Sequence, residues 1–155
     1  MSTIVGCVPP DIQIRRFRRS NLRRIIEIER SAFPGAKAYS RGMFLELSDR
    51  CGDLFLVAKH SERIIGYMVT CVKAQNAEIV SIAVDSKHRN RGVGKALMLR
   101  TLAILKASGV GRAVLTVRPT NRPGIHFYRR LGFTHVGRIA QYYEGSDAFK
   151  MQKIL

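Results

Sequence analysis

The stretch Arg89-Asn90-Arg91-Gly92-Val93-Gly94-Lys95 holds the clearest chemistry in this 155-residue chain. It follows the apolar run Val80-Ser81-Ile82-Ala83-Val84 and precedes a long helical pattern, so a strand ends, a glycine-bearing loop turns and a helix begins. Gly92 and Gly94 let the backbone approach a ligand without Cβ clashes, and successive N–H groups then converge on an anion. The helix N-terminus adds a favourable dipole. Arg89, Arg91 and Lys95 surround the same point with positive charge. These are the parts of a pyrophosphate site. The spacing is neither the G-x-x-x-x-G-K-[ST] of a P-loop nor the G-x-G-x-x-G of a dinucleotide site. The bland alternative is that two glycines shape a loop whose basic residues face water.

Other reactive residue types are scattered. Cys7, Cys51 and Cys71 are too far apart for a C-x-x-C motif, and three cannot all pair internally, so reduced thiols are expected. His60, His88, His126 and His135 lack H-E-x-x-H or any close ligand spacing. No metal is expected.

The elements that must position the cradle are legible from periodicity. Ile12 to Phe17 alternates as a half-buried strand does. Ser20 or Asn21 caps a helix from Leu22 to Phe33 with one apolar face, and Pro34-Gly35 ends it. Ser40 caps a second helix through about Leu47. Asp53 to Ala58 and Arg63 to Val72 read as a hairpin, and Glu78 to Val84 as the next strand. Gly92 to Ser108 is a long helix with a wide apolar surface, terminated by Gly109, that must pack on a sheet. Arg112 to Val117 is a strand and Gly124 to Leu131 a helix closed by Gly132. Phe133 to Ala140 and Ala148 to Ile154 form a final strand pair. Strands and helices mingled with hairpins at both ends predict an α/β (α+β mixed) fold on a mixed sheet.

The length fits one domain, taken as 12–155 after a tail of residues 1–11. In the tail, Val5-Gly6-Cys7 superficially matches a lipoprotein cleavage box, but no basic segment or sufficient apolar run precedes it. No apolar run approaches the ~20 residues of a membrane span, so a cytoplasmic protein without membrane attachment is expected. The 27 Lys and Arg outnumber the 11 Asp and Glu, leaving a net charge of +16. Such a field captures polyanions: a phosphorylated cofactor, nucleic acid or an anionic membrane surface.

From about Ile12 to Ile154 the chain resembles the GNAT superfamily of N-acetyltransferases. Ile82-Ala83-Val84 followed by R-x-x-G-x-G as Arg89 to Gly94 is similar to its acetyl-CoA motif. Leu115-Thr116-Val117-Arg118, Asn121, Tyr128 and Leu131-Gly132-Phe133 are similar to its second cofactor segment. The resemblance implies a central mixed, mostly antiparallel twisted sheet flanked by helices on both faces. It implies acetyl-CoA as co-substrate. Main-chain groups of Ile82, Ala83 and Val84 would hold the pantetheine arm, and the amides of Asn90 to Lys95 the pyrophosphate. Asn121 would contact the cofactor from the following helix. Tyr128 occupies the place of the tyrosine that protonates the coenzyme A sulfur, with a plain core aromatic as the alternative. The Val84 N–H would meet the negative charge developing on the carbonyl oxygen.

The general base departs from the pattern of the bacterial ribosomal-protein alanine N-acetyltransferases (RimI type), which the chain resembles most. There a glutamate stands where this chain has Thr116, and a hydroxyl is no base near neutral pH. Ala77-Glu78-Ile79-Val80 is similar to the segment that carries the base glutamate in the histone acetyltransferase branch, which makes Glu78 the first candidate. An exposed strand-end carboxylate is the alternative. Glu29, on an otherwise apolar helix face, is the second candidate, and a carboxylate there is either paired or functional.

The segment from Tyr142 to Ala148 is similar to the Y-Y-x-x-x-D-A stretch of N-terminal acetyltransferases. This implies acceptor binding by Tyr142 and Tyr143, in the loop between the last two strands, and by the loop from Phe33 to Tyr39, with a strand-edge pair as the alternative for the two tyrosines. The acceptor expected is a protein or peptide N-terminus, of the ribosomal-protein alanine type. A lysine or small-molecule amine is the alternative, and a non-catalytic basic module associated with RNA is a third reading. The run Arg15, Arg16, Arg18, Arg19, Arg23 and Arg24 is either a solvated face or a dock for ribosomal RNA or another polyanion. A monomer or homodimer is expected.

Overall fold

The computed structural model describes residues 11–35 and 38–155. The Val5-Gly6-Cys7 box and residues 36–37 of the Phe33–Tyr39 loop lie outside them. The elements are β1 (Ile12–Arg16), α1 (Leu22–Ala32), α2 (Arg41–Cys51), β2 (Phe55–His60), β3 (Arg63–Lys73), β4 (Asn76–Val84), α3 (Val93–Ala107), β5 (Arg112–Val117), α4 (Arg122–Arg130), β6 (Thr134–Tyr143) and β7 (Ser146–Ile154). The seven strands follow the order β1-β2-β3-β4-β5-β7-β6. β1–β2, β2–β3, β5–β7 and β6–β7 pair antiparallel, whereas β4–β5 is parallel, with α3 as its crossover. This is the expected mixed, mostly antiparallel sheet with flanking helices.

Two compact units divide the chain, one holding the described residues up to Cys71 with Val80–Ile104, the other Val72–Ile79 with Leu105–Leu155. In the first, β2 and β3 are buried on both faces and lose the alternation of a half-exposed strand. Phe55, Val57, Tyr67 and Val69 pack with Leu22, Ile25 and Ile28 of α1 and Phe44 and Leu47 of α2. The opposite face takes α3: the Thr101 hydroxyl donates to the Met68 sulfur at 3.4 Å. A Cβ on Gly66 would lie 3.2 Å from the Ala83 carbonyl oxygen and 3.4 Å from Leu97 and Val93, so glycine lets β3, β4 and α3 close together.

Local signals set the helix ends. Ser40 Oγ accepts from the Met43 N–H at 3.2 Å and caps α2. Asn21 precedes α1, but its Oδ1 accepts from the Arg18 N–H at 2.8 Å and caps the preceding 3₁₀ turn instead. α2 runs past Leu47 to Cys51, and a 3₁₀ turn over Gly52–Leu54 delays β2 to Phe55. The expectation of reduced thiols is corrected: Cys51 and Cys71 form a disulfide, their Cα atoms 5.0 Å apart. The fold carries the end of α2 over β3, a proximity that 20 residues of separation conceal. Cys7 lies outside the described residues.

In the second unit Ala113, Leu115 and Val117 of β5 are buried with Ala148 and Met151 of β7. Asn121 Oδ1 accepts from the Gly124 N–H at 3.0 Å, Pro123 sits in the first turn of α4, and Gly132, at φ +95°, closes it. Tyr142 and Tyr143 belong to β6 rather than to a loop, because β6 extends to a tight turn at Glu144 and Gly145.

Candidate active site

The cradle lies in the first unit. After β4 the Asp85 N–H donates to the Ile65 carbonyl at 2.8 Å, and its carboxylate meets Arg24 and His88, each at 3.1 Å. These contacts hold the Asp85 carboxyl below its ordinary range, outweighing its partial burial. With that turn fixed, Asn90 (φ +61°) and Gly92 (φ +84°) are left-handed and α3 starts at Val93. The first-turn amides of α3 have no carbonyl of their own helix to bind. From Ser86 to Lys95 the chain has no acidic residue. Arg91 and Lys95 are exposed and form no ion pair among the described residues, whereas Arg89 Nε donates to the Val84 carbonyl at 3.1 Å. The Val93 side chain is buried. Left-handed backbone, open amides and unopposed cations fit a diphosphate.

On β4, Ala77, Ile79, Ser81 and Ala83 are buried while Glu78, Val80, Ile82 and Val84 take the other face. The parallel ladder with β5 covers Asn76–Glu78 against Arg112–Val114. Beyond it lie Ile82 and Val84. Glu78 stands beside Val114, and Thr116 is two residues on in the same face. The two strands proposed to carry a base are therefore neighbours, and Glu78 is exposed.

Thr116 has a role that its sequence position does not disclose. Its hydroxyl shares a hydrogen bond with the Tyr143 hydroxyl, and the Arg118 guanidinium lies 3.9 Å from the Tyr143 ring centre. Both contacts favour the phenolate, yet burial prevails and the Tyr143 pKa is raised. Tyr142 packs edge-on against Tyr143 at 4.9 Å and is 50% exposed. Tyr128, packed edge-on with Phe127 and Phe133, is pushed up to about 12 by burial, with a smaller contribution from Tyr143. The only sequence signal for this cluster was the paired tyrosines and Tyr128 itself. Asn121, expected to face the cofactor, is also the N-cap of α4.

Glu29 is paired, not available. It is 1% exposed, and its carboxylate accepts from the Tyr67 hydroxyl and, at 2.9 Å, from the Tyr39 N–H. Ser81 Oγ lies 2.8 Å from the Tyr67 oxygen. Burial outweighs these bonds and raises the carboxyl pKa. Glu29 thus pins Tyr39 to α1. The Tyr39 ring packs edge-on with Phe44 at 5.8 Å, and both Phe33 and Tyr39 are half-buried against the core.

In the first unit a strand leads into a left-handed turn and a long helix suited to a phosphate-bearing ligand, and the second unit carries a protonated tyrosine and an exposed strand carboxylate. The Acetyltransferase (GNAT) family model matches residues 22–133, and the chain belongs to that family. An N-alpha-acetyltransferase of Sulfolobus acidocaldarius is 33% identical over 153 residues, covering 90% of each chain. A putative [ribosomal protein bS18]-alanine N-acetyltransferase of Bacillus subtilis is 26% identical over 141 residues, covering 89% of this chain and 92% of that one. The crystal structure of Ard1 from Thermoplasma volcanium superposes with a TM-score of 0.88 at 26% identity, over 94% and 98% of the two chains. The protein is an N-acetyltransferase with acetyl-CoA as donor. No helix among the described residues is long and apolar enough to cross a membrane.

Proposed function

We propose that residues 12–155 act as one catalytic domain that acetylates the α-amino group of a protein N-terminus. The observation that carries this reading is the tethered tyrosine pair. Tyr143 is fixed by Thr116 and Arg118, and Tyr142 beside it is half-exposed. Ordered aromatics with polar tips pack a peptide's first side chain while bonding its main chain, a surface that a small amine does not need. Phe33 and the Glu29-anchored Tyr39 serve the same acceptor. The names of the relatives from Sulfolobus acidocaldarius and Bacillus subtilis support the same acceptor class.

Acetyl-CoA supplies the activated acetyl group. The amides of Asn90 to Lys95, with Arg89, Arg91 and Lys95, hold its diphosphate, the main chain of Ile82 to Val84 aligns its arm, and Asn121 adds a contact. The Val84 N–H faces the carbonyl oxygen as charge develops there. Glu78, directly or through one water, takes the proton of the attacking amine. Tyr128 presents its hydroxyl proton to the departing sulfur. An α-amino group titrates near ~8 and a lysine side chain near ~10, so deprotonation is the smaller burden for an N-terminus.

Thiol release from acetyl-CoA, measured across matched acceptors, tests the reading. One peptide has a free α-amine and no lysine, a second has a blocked α-amine and one lysine, and spermidine stands for small amines. Turnover confined to the first peptide, lowered about 10²-fold in Glu78→Gln, is the expected result. Turnover with the second peptide or spermidine alone would replace the proposed acceptor by a lysine or small amine. No turnover with any of them would leave the reading without support.

A further inference from the structure

The arginines between residues 15 and 24 fall into two kinds. Arg24 turns inward, its Nε donating to the Ile64 carbonyl at 2.9 Å and its guanidinium meeting Asp85 at 3.1 Å and Glu27 at 3.2 Å. Its charge is spent on the turn that precedes the cradle. The others stay outside. Arg15 leans on Gln13 at 3.1 Å, and Arg16 meets the exposed Asp53 at 2.9 Å, a pairing that water largely screens. Arg18, Arg19 and Arg23 are exposed and form no ion pair among the described residues.

The antiparallel register of β1 and β2 sets Arg15 opposite Val57 and Gln13 opposite Lys59, so Arg15 and Lys59 are diagonal neighbours on one sheet face. Arg15, Arg16, Arg18 and Lys59, with Ser20 and Asn21, line an open cleft of about 650 Å³ floored by Phe17 and Val57. Phe17 lies flat on Phe55 at 4.1 Å. Charged side chains on an edge strand guard it against pairing, which would account for Arg15 and Arg16. That explanation does not reach Arg18, Arg19 and Arg23, which lie beyond the strand.

We propose that this cleft binds the sugar-phosphate backbone of single-stranded RNA. The wall carries four cations, of which Arg16 meets the exposed Asp53 and Lys59 the exposed Glu62 at 3.9 Å, pairings that water largely screens, and guanidinium forks bond phosphate oxygens in pairs. Ser20 and Asn21 add neutral bonds of the kind that position a backbone. The row continues through Arg19 to Arg23, which is more than one phosphate requires and what a chain of phosphates uses. A lipid surface fits less well, because stable interfacial docking buries large apolar side chains. The exposed ones, Met43, Val72, Val136, Ile139, Tyr142 and Ile154, do not line the cleft. The choice of RNA over DNA rests on the proposed action at protein N-termini, which emerge beside RNA. Acetylation and RNA binding are therefore measured separately.

Fluorescence anisotropy with a labelled 12-nucleotide oligouridylate, titrated from 50 to 300 mM KCl, tests the proposal. In the triple variant Arg15→Gln, Arg18→Gln, Lys59→Gln, affinity at 100 mM KCl should fall at least tenfold. The slope of log K against log salt should drop by about 2, at ~0.7 per lost phosphate contact. The matched triple Lys106→Gln, Arg129→Gln, Arg130→Gln removes the same charge elsewhere and should change affinity less than twofold. Free-peptide acetylation should be unchanged in both. Crosslinking of the unaltered protein to 4-thiouridine RNA should map to residues 12–24 or 55–60, a result independent of how the variants fold. Equal loss in both triples, crosslinks elsewhere, tighter binding to phosphatidylserine vesicles than to RNA, or full competition by polyglutamate would each overturn the proposal.

Discussion

Tyr128 is half-buried and packs against Phe127 and Phe133, and with its pKa pushed up to about 12 it keeps its proton throughout the working range. In the role proposed for it, Tyr128 is a fixed hydrogen-bond donor to sulfur that contributes no titration between pH 6 and 10. Tyr128→Phe should lower kcat about 10²-fold while leaving the acetyl-CoA KM unchanged. A basic limb near pH 10 that vanishes in the variant would contradict this. Glu29 titrates in the opposite sense from a stabilising surface carboxylate. Its folded pKa lies above the ordinary 4.5, so the folded chain holds the proton longer than the unfolded one. Its contribution to stability therefore falls as pH rises from about 4.5 through the raised value, and is level above it. Urea unfolding between pH 4 and 8 should show this slope as the difference between the unaltered protein and Glu29→Gln. Parallel curves would contradict it. The amide of Gln also turns a donor toward the Tyr67 hydroxyl or the Tyr39 N–H, so the variant should loosen the loop that carries Tyr39.

At the scale of elements, α2 is held twice, by Phe44 and Leu47 in the core and by the Cys51–Cys71 bond to β3. Closing a loop of this length removes chain entropy worth about 3 kcal/mol from the unfolded state. Cys51→Ser should lower unfolding free energy by roughly that amount, and added reductant should then change nothing further. An unchanged denaturation midpoint would show that the bond is absent in solution. Element signals in the sequence were strongest where backbone chemistry is local. The Ser40 cap, the glycine closures after α3 and α4, and the left-handed turn into α3 all follow from one or two residue types. They were weakest at β2 and α2, where Gly52–Leu54 continues a helical turn into a segment of β-forming residues. Gly66 sits inside an apolar strand run, and only the approach of Ala83 and Leu97 explains it.

For the whole molecule, part of the +16 charge gathers at two places in the first unit, the Gly92 turn and the β1 cleft, while Arg24 is consumed internally. The sequence by itself determined the mixed sheet, the helix that starts at the glycine turn, the acetyltransferase resemblance and the candidacy of Glu78 and Tyr128. These rest on periodicity and on contiguous motifs, and both survive in one dimension. Tertiary structure alone decided that Glu29 is sealed by Tyr67, that Thr116 tethers Tyr143, that Cys51 meets Cys71 and that Lys59 joins Arg15 across a cleft. Each of these is a meeting of residues 20 to 44 apart in the chain. Which of many possible partners such a side chain finds depends on strand register and helix docking, and these are fixed by the packing of the core as a whole.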